Sequence, residues 1–392
     1  MKYSALAFSS LLLCSLGFAD QPANAKNQGK KTELRKMSSP KTHSLVPCLV
    51  DETKWLVYGD FLYWEVREDQ LQFAGDIVGG IGPFVNFVNN NNPGIPNKTL
   101  DQKIKVKESS FKWRPGFRVG TGVDLARSTW DIQLFWTRLH ESTKAHLSDS
   151  ANGILSTEFP LVTILSLTGN NSGSLPMFAN NAKNKWTFRF DTIDLQVGKT
   201  FFPHKTVSVK PFFGVKAAQI DQRTRTKYEG LVGTGQDANN NNFSFPLVNT
   251  VDKKNNFHAI GPSLGVDSKW KFAHMFSLVT DFSFAAVYGK FNNEIHSQIT
   301  AQGGGNTAMI NIKLHNPTYR IRPTINGLVG FDFSSCLGKS GIISVGVAYE
   351  VQYFWNQWQS PSSVAVSLVN TSSSAQGDLM MHGLTAHLGF AF

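Results

Sequence analysis

The chain has 392 residues, only 17% of them charged and 12% aromatic, and carries a formal net charge of +10. Charge this sparse lies below the roughly 25% of soluble domains, and no apolar run of about 18 residues follows the first twenty, which excludes a spanning helix there. What remains is a soluble all-β protein or a transmembrane β-barrel.

Met1-Lys2 followed by the apolar run from Ala5 to Phe18 reads as a signal peptide, with cleavage expected after Ala19 or Ala25. Cys14 lies within that run behind Leu13, where lipoprotein signals want a small residue, so lipidation is not expected. Residues 26–54 are rich in Lys, Ser and Asn with scattered Pro and no period, and read as a periplasmic linker.

From Trp55 the pattern is one of strands, and the barrel is assigned to residues 55–392. Ten are expected: Trp55–Glu68, Phe111–Leu125, Thr129–His146, Trp186–Phe201, Thr206–Gln222, Phe257–Phe272, Phe276–Phe291, Thr318–Phe333, Ile342–Trp358 and Leu379–Phe392. The second sets Trp113, Phe117, Val119, Thr121 and Val123 on one face against Lys112, Arg114, Gly116, Arg118, Gly120 and Gly122. The ninth sets Ile343, Val345, Val347, Tyr349, Val351 and Tyr353 against Ser344, Gly346, Ala348, Glu350 and Gln352. The fourth changes phase between Phe190 and Ile193, which suggests a bulge. Further hairpins at Phe84–Val88 with Ile104–Val106, or at Ile154–Leu167, would raise the count, so the range is ten to fourteen strands.

Short connections at Ala126-Arg-Ser, Pro203-His-Lys, Ala273-His-Met and Ser334–Ser340 alternate with long ones near 69–110, 147–185, 223–256, 292–317 and 359–378. Antiparallel membrane barrels have this alternation of tight periplasmic turns and large outer loops. Loop 147–185 is unusually apolar, with Ile154, Leu155, Phe159 and Leu161 among others, and is expected either to fold into the barrel mouth or to pack on a neighbouring subunit. Trp55, Trp130 and Trp270 fall near the expected periplasmic ends and Trp113, Trp186, Trp355 and Trp358 near the outer ends, as two interfacial girdles require.

The last strand has Leu384, Ala386, Leu388, Phe390 and Phe392 on one face and Thr385, His387, Gly389 and Ala391 on the other. Grease outward and small polar groups inward suit a barrel wall in lipid. A terminal strand with Phe390 and Phe392 matches the ending that barrel assembly machinery reads.

Chemical motifs are scarce. Gly261-Pro-Ser-Leu-Gly265 fits G-x-S-x-G, but its residues continue a strand alternation through Val266, Ser268 and Trp270, whereas a nucleophile elbow needs a sharp turn into a helix. No Walker loop, His-Glu-x-x-His or CxxC occurs, and no cofactor or metal site is expected. Arg114, Arg118, Lys216, Arg320 and Arg322 fall on inward phases toward the outer side, Asp124, Asp131, Asp267 and Asp332 near the turns, with Asp281 and Glu350 between. Rings of side-chain charge set pore preference, so these are pore-lining candidates with a weak bias to anions, and bracing of the wall is the competing reading. Cys48 and Cys336 fall on the same side of the membrane, where an intrachain disulfide or a cross-link between neighbours is open.

At Tyr58-Gly-Asp-Phe-Leu-Tyr-Trp-Glu-Val-Arg-Glu-Asp-Gln-Leu-Gln-Phe-Ala74 the chain resembles the Legionella-type pore-forming outer-membrane proteins, which include the major-outer-membrane-protein-like porins of environmental chlamydiae. Phe111-Lys-Trp-Arg-Pro-Gly-Phe-Arg-Val-Gly and Trp130-Asp-Ile-Gln-Leu-Phe-Trp-Thr-Arg-Leu-His140 carry the resemblance through the first three strands. It implies an outer-membrane barrel, pore-forming, abundant and disulfide-linked, although two mature cysteines suit no extensively cross-linked coat. The expected function is a porin passing small hydrophilic solutes, without a reaction. The alternatives are an adhesin or structural coat protein and, third, a barrel enzyme with a convergent Asp–His set at its outer rim. Expected partners are outer-membrane lipid, the assembly machinery, further copies of the chain and solutes, with no nucleic acid.

Overall fold

A computed structural model describes residues 53–77, 104–125, 129–148, 154–156, 178–236, 242–273, 275–303, 306–337, 341–360 and 375–392. These residues form β1 (Lys54–Glu68), β2 (Gln72–Ile77), β3 (Ile104–Glu108), β4 (Trp113–Asp124), β5 (Trp130–Ser148), β6 (Ile154–Ser156), β7 (Phe178–Ala179), β8 (Asn181–Lys199), β9 (Phe201–His204), β10 (Val207–Gln236), β11 (Asn242–Lys271), β12 (Phe276–Gly303), β13 (Asn306–Leu337), β14 (Gly341–Ser360) and β15 (Ala375–Ala391). No helix occurs among the described residues.

Ten of these strands form a closed antiparallel ring, β1-β4-β5-β8-β10-β11-β12-β13-β14-β15, with β15 returning to β1. The seam runs from Leu56 opposite Ala391 to Glu68 opposite Leu379, and Trp55 and Phe392 exchange backbone hydrogen bonds of 2.8 and 3.0 Å below it. Closure removes the unpaired edge that an open sheet would present to hydrocarbon. The ten wall strands coincide with the ten read from sequence. Residues 1–52, where a signal peptide and most of a linker are expected, lie outside the described residues, as does Phe84–Val88.

Alternation sets which side chains meet lipid. Trp55, Val57, Phe61 and Tyr63 of β1 are exposed on the outside, and Leu62 and Trp64 are fully buried inside. The same division holds on β14, where Val345, Val347 and Tyr349 face out and Glu350 is buried. Tyr63 packs against Trp113 at 5.6 Å and Tyr288 against Tyr319 at 6.1 Å, and these exposed rings, with Trp136 and Tyr349, form the upper girdle. Trp55, Trp130 and Trp270 mark the lower one. Trp186 and Trp358 depart from the expected girdle, because both point inward and are buried. Inward glycines make room for inward rings on the neighbouring strand: a Cβ on Gly120 would lie 2.6 Å from the Phe135 ring, and one on Gly265 2.4 Å from that of Phe212.

Two expectations need correction. The registers of β8 with β5 and β10 run unbroken through Phe190–Ile193, so the apparent phase change is only an inward Phe190 beside an outward Ile193. Bulges occur instead between Tyr228 and Leu231 and between Phe354 and Trp358, where Asn356 takes a φ of 51°. Secondly, much of 223–256 and 292–317 is strand rather than loop: β10 and β11 pair as far as Gln236 with Asn242, and β12 and β13 as far as Gly303 with Asn306. A 30-residue strand runs to roughly 100 Å, far beyond an apolar band of about 25 Å, so β10–β13 rise well above the membrane.

A second small sheet, β3-β2-β6-β7, lies toward the outer end. Phe73 and Ala74 of β2 and Ile154 of β6 pack with Tyr228, Leu247, Val251, Ile295 and Ile299 of the tall strands, and the Tyr228 hydroxyl donates to the Phe73 carbonyl at 2.5 Å. Within the apolar connection after β5, Ile154 therefore packs into this chain's own outer core; residues 149–153 and 157–177 lie outside the described residues.

Candidate lumen site

The interior is layered. Nearest the short turns lies a polar vestibule with a volume of about 470 Å³, lined by Thr200, Ser208 and Lys269 low down and reaching Arg118 and Thr385 above. Its ionic groups are paired across strands: Lys210 bridges Asp131 (3.0 Å) and Asp267 (2.7 Å), Lys216 meets Asp194 (2.7 Å), and Lys269 meets Asp332 (2.5 Å). Asn326 donates to Asp281 at 3.3 Å.

Arg118 closes the top of this vestibule. Register sets its inward side chain opposite Asp60 on β1 and Thr137 on β5. Its guanidinium donates to Glu350 at 2.7 and 3.2 Å, to Asp60 at 3.3 Å and to Thr137 at 3.0 Å, and lies 5.8 Å from the Trp64 ring centroid. Glu350, whose side chain is wholly buried, also accepts from Thr385 (3.1 Å) and Gln352 (3.1 Å), while Thr385 accepts from Trp64 Nε1 (3.2 Å). A two-toothed Arg–carboxylate pair with its remaining positions satisfied is the arrangement that lets buried charge persist.

Above it the lumen is apolar. Leu62, Trp64, Val66, Leu139, Trp186, Phe188, Phe190, Ile220, Phe257, Val287, Phe291, Phe354 and Met381 form one buried cluster. Phe257 stacks on Phe291 at 4.2 Å, and Phe190 meets Phe354 edge-on at 5.9 Å. Ten strands give an interior that side chains of this size can fill. A thin polar seam follows, in which Gln222 donates to Glu68 (2.8 Å) and Asn255 to the Gln357 carbonyl (3.3 Å), and then the outer apolar cluster.

The expected pore-lining residues are therefore not one ring. Arg118, Lys216 and Asp281 line the vestibule, with Glu350 behind Arg118. Arg114 lies higher and donates to the Ser142 carbonyl at 3.0 Å; Arg322 is buried over the Phe291 ring at 5.0 Å; Arg320 is exposed. Arg118 and Lys216 each face carboxylates at their own level, so these two cations are paired rather than free.

Sequence reading missed the set Ser344–His387–Asp60, with His387 Nδ1 2.6 Å from Asp60 and Nε2 3.5 Å from Ser344 Oγ. Its order imitates a catalytic triad. Ser344, however, sits mid-strand, paired with Ser334 on one side and Gly389 on the other, so neighbouring amides are spent in the ladder rather than aimed at an oxyanion. The set braces the β1–β15–β14 wall. Gly261, Ser263 and Gly265 likewise lie within β11, without an elbow. Among the described residues no group of three or more potential metal ligands converges. Cys336, at the turn end of β13, is disulfide-bonded; Cys48, its expected partner, lies outside the described residues. Phe390 and Phe392 both face outward beside the seam.

A family model described as Legionella pneumophila major outer membrane protein precursor matches residues 45–392. The chain belongs to this family. That membership, with the closed barrel and its lipid-facing belt, places the protein in the outer membrane. No curated protein sequence gives a significant match. Among solved structures the chain is similar to the outer membrane protease OmpT from Escherichia coli, at 8% identity over 86% of this chain and 96% of that one, with a TM-score of 0.32. It is also similar to the toluene transporter TodX of Pseudomonas putida (7% identity, 91% and 92% covered, TM-score 0.27) and to a FadL homologue of Pseudomonas aeruginosa (8%, 91% and 93%, TM-score 0.24). Superpositions this loose carry no argument about activity.

Proposed function

We propose that this family member is a narrow, gated pore for small hydrophilic solutes, closed in this structure by the apolar layer around Trp64 and Phe354. The observation that carries the reading is the charge-lined vestibule of about 470 Å³ ending beneath that layer. Apolar constrictions stop conduction by excluding water, and side-chain charge at the approach sets preference. Six aspartates line the vestibule (Asp60, Asp131, Asp194, Asp267, Asp281 and Asp332) against Arg118, Lys210, Lys216 and Lys269. This balance favours cations and replaces the anion bias expected from sequence. No reaction is proposed, and the outward Phe390 and Phe392 are the groups offered to the assembly machinery.

The completely buried layer also favours a second reading, a sealed structural or adhesive barrel whose outer end carries the function. An enzyme like that expected at an outer rim finds less support: the short Asp–His contact, Asp60–His387, lies in the vestibule at the opposite end. Conductance of the purified protein in planar bilayers, with and without truncation of Phe354 to Ala, tests the proposal. Cation-preferring openings that lengthen in the variant support the gated pore; silence from both supports the sealed barrel.

A further inference from the structure

Above the upper girdle, the outward face of β5, β8 and β10 is strongly basic. From Arg138, Asp191 and Gln219 upward, its outward positions carry eight Lys and Arg side chains against three carboxylates, Asp191, Asp221 and Glu229. Most of the cations have a partner: Arg138 and Arg189 share Asp191 (3.7 and 3.0 Å), Lys183 and Lys227 share Glu229 (3.0 and 2.7 Å), and Arg223 reaches Asp252 of β11. Three do not. Lys144 lies directly opposite Lys185, and Lys185 directly opposite Arg225, so three cations form one row across three strands. All three are exposed, and none has an ion-pair or hydrogen-bond partner among the described residues. Like charges directly opposite on a sheet destabilise it. The row below it pairs Ser142 with Thr187 and Thr187 with Arg223, adding hydroxyl groups.

The height of the row identifies what could neutralise it. The same three strands carry the lipid-facing Trp136, Ile193 and Val215, so acyl chains packed there hold their headgroups against this face. Eight residues separate Trp136 from Lys144, about 20 Å of height on a strand tilted as barrel strands are. We infer that Lys144, Lys185 and Arg225 bind phosphate groups on the saccharide headgroup of an outer-leaflet glycolipid. Charge complementarity selects a phosphorylated lipid, since each basic group near an anionic membrane surface adds attraction that salt screens.

The test is retention of a glycolipid whose phosphates sit on saccharides beyond its acylated disaccharide, by the folded, full-length mature protein in detergent, read by native mass spectrometry. Lys144→Gln/Lys185→Gln/Arg225→Gln is compared with a control that removes equal charge elsewhere, Lys254→Gln/Lys290→Gln/Lys313→Gln. The inference predicts roughly hundredfold weaker retention in the first variant and little change in the control. It also predicts little retention of the same glycolipid without phosphates, and no loss of thermal stability in the first variant, whose repulsive row has been removed. Equal retention by wild type and the first variant, or equal loss in both variants, would overturn it. So would tight binding of the dephosphorylated glycolipid, or of inorganic phosphate alone.

Discussion

At the scale of single residues, the Arg118–Glu350 pair sets a fully buried carboxylate against the guanidinium at the top of the vestibule. Each charge is held away from water and tolerated because the other is there, with Asp60, Thr137, Thr385 and Gln352 filling the remaining positions. Removing one partner strands the other. Arg118→Met is expected to cost about 3–5 kcal/mol, measured by urea unfolding in lipid vesicles, whereas Arg118→Met combined with Glu350→Leu recovers most of that loss. A double variant as unstable as the single one would mean that the pair matters less than the shape of the site. The identity of these residues was visible in the sequence, since inward phase follows from the period of two. Their pairing was not: Arg118 and Glu350 are 232 positions apart and meet only because ring closure through β1 and β15 brings β4 and β14 to nearby positions. The pairing of Lys216 with Asp194 was out of reach for the same reason, since reading cations by height does not say which carboxylate each will face.

At the scale of elements, the tall strands divide where the membrane ends. Below, lipid demands an apolar outward face, and contrast between the two phases is high, so all ten wall strands were legible. Above, water bathes the outward face of β10–β13, and residues such as Lys253, Lys254, Asn255 and Asn256 show no alternation of polarity although Asn255 is buried. Runs of this kind look like loop while pairing as strand. Beside the outer apolar cluster, cohesion there draws on cross-strand polar contacts, among them that of Glu229 with Lys183. Twelve residues above Ala217, where the apolar run on the outward phase of β10 ends, Glu229 accepts from Lys227 and Lys183, and these contacts hold its carboxyl down at about 2. A depressed folded value adds stability in full above the ordinary carboxylate value of about 4.3, and that stability is lost as pH falls through the folded value. The destabilisation caused by Glu229→Gln is therefore expected at pH 6 and should fade between about pH 4 and 2. A constant difference across that window would place the effect elsewhere.

At the scale of the whole molecule, the ring is sealed by its two ends, with Trp55 and Phe392 hydrogen-bonded across the seam. Phe392 is 64% exposed on the lipid side, so it contributes little to internal packing, which suits the assembly role proposed for it. Phe392→Ser is expected to lower the amount of barrel recovered in the outer membrane several-fold while leaving the thermal stability of the inserted fraction nearly unchanged. Matching losses in yield and stability would instead make Phe392 a packing residue.

The lumen decides between a conduit and a sealed post. Below the apolar layer the interior is polar and charged; within it, aromatic rings fill the section, and truncating one such ring normally costs about 3–5 kcal/mol in packing. Single-channel recording in planar bilayers weighs these parts against one another most directly. The gated-pore account predicts brief cation-preferring openings in the wild type and longer or larger ones in Phe354→Ala. An absence of current from either protein, with both shown to be inserted and folded, would contradict it.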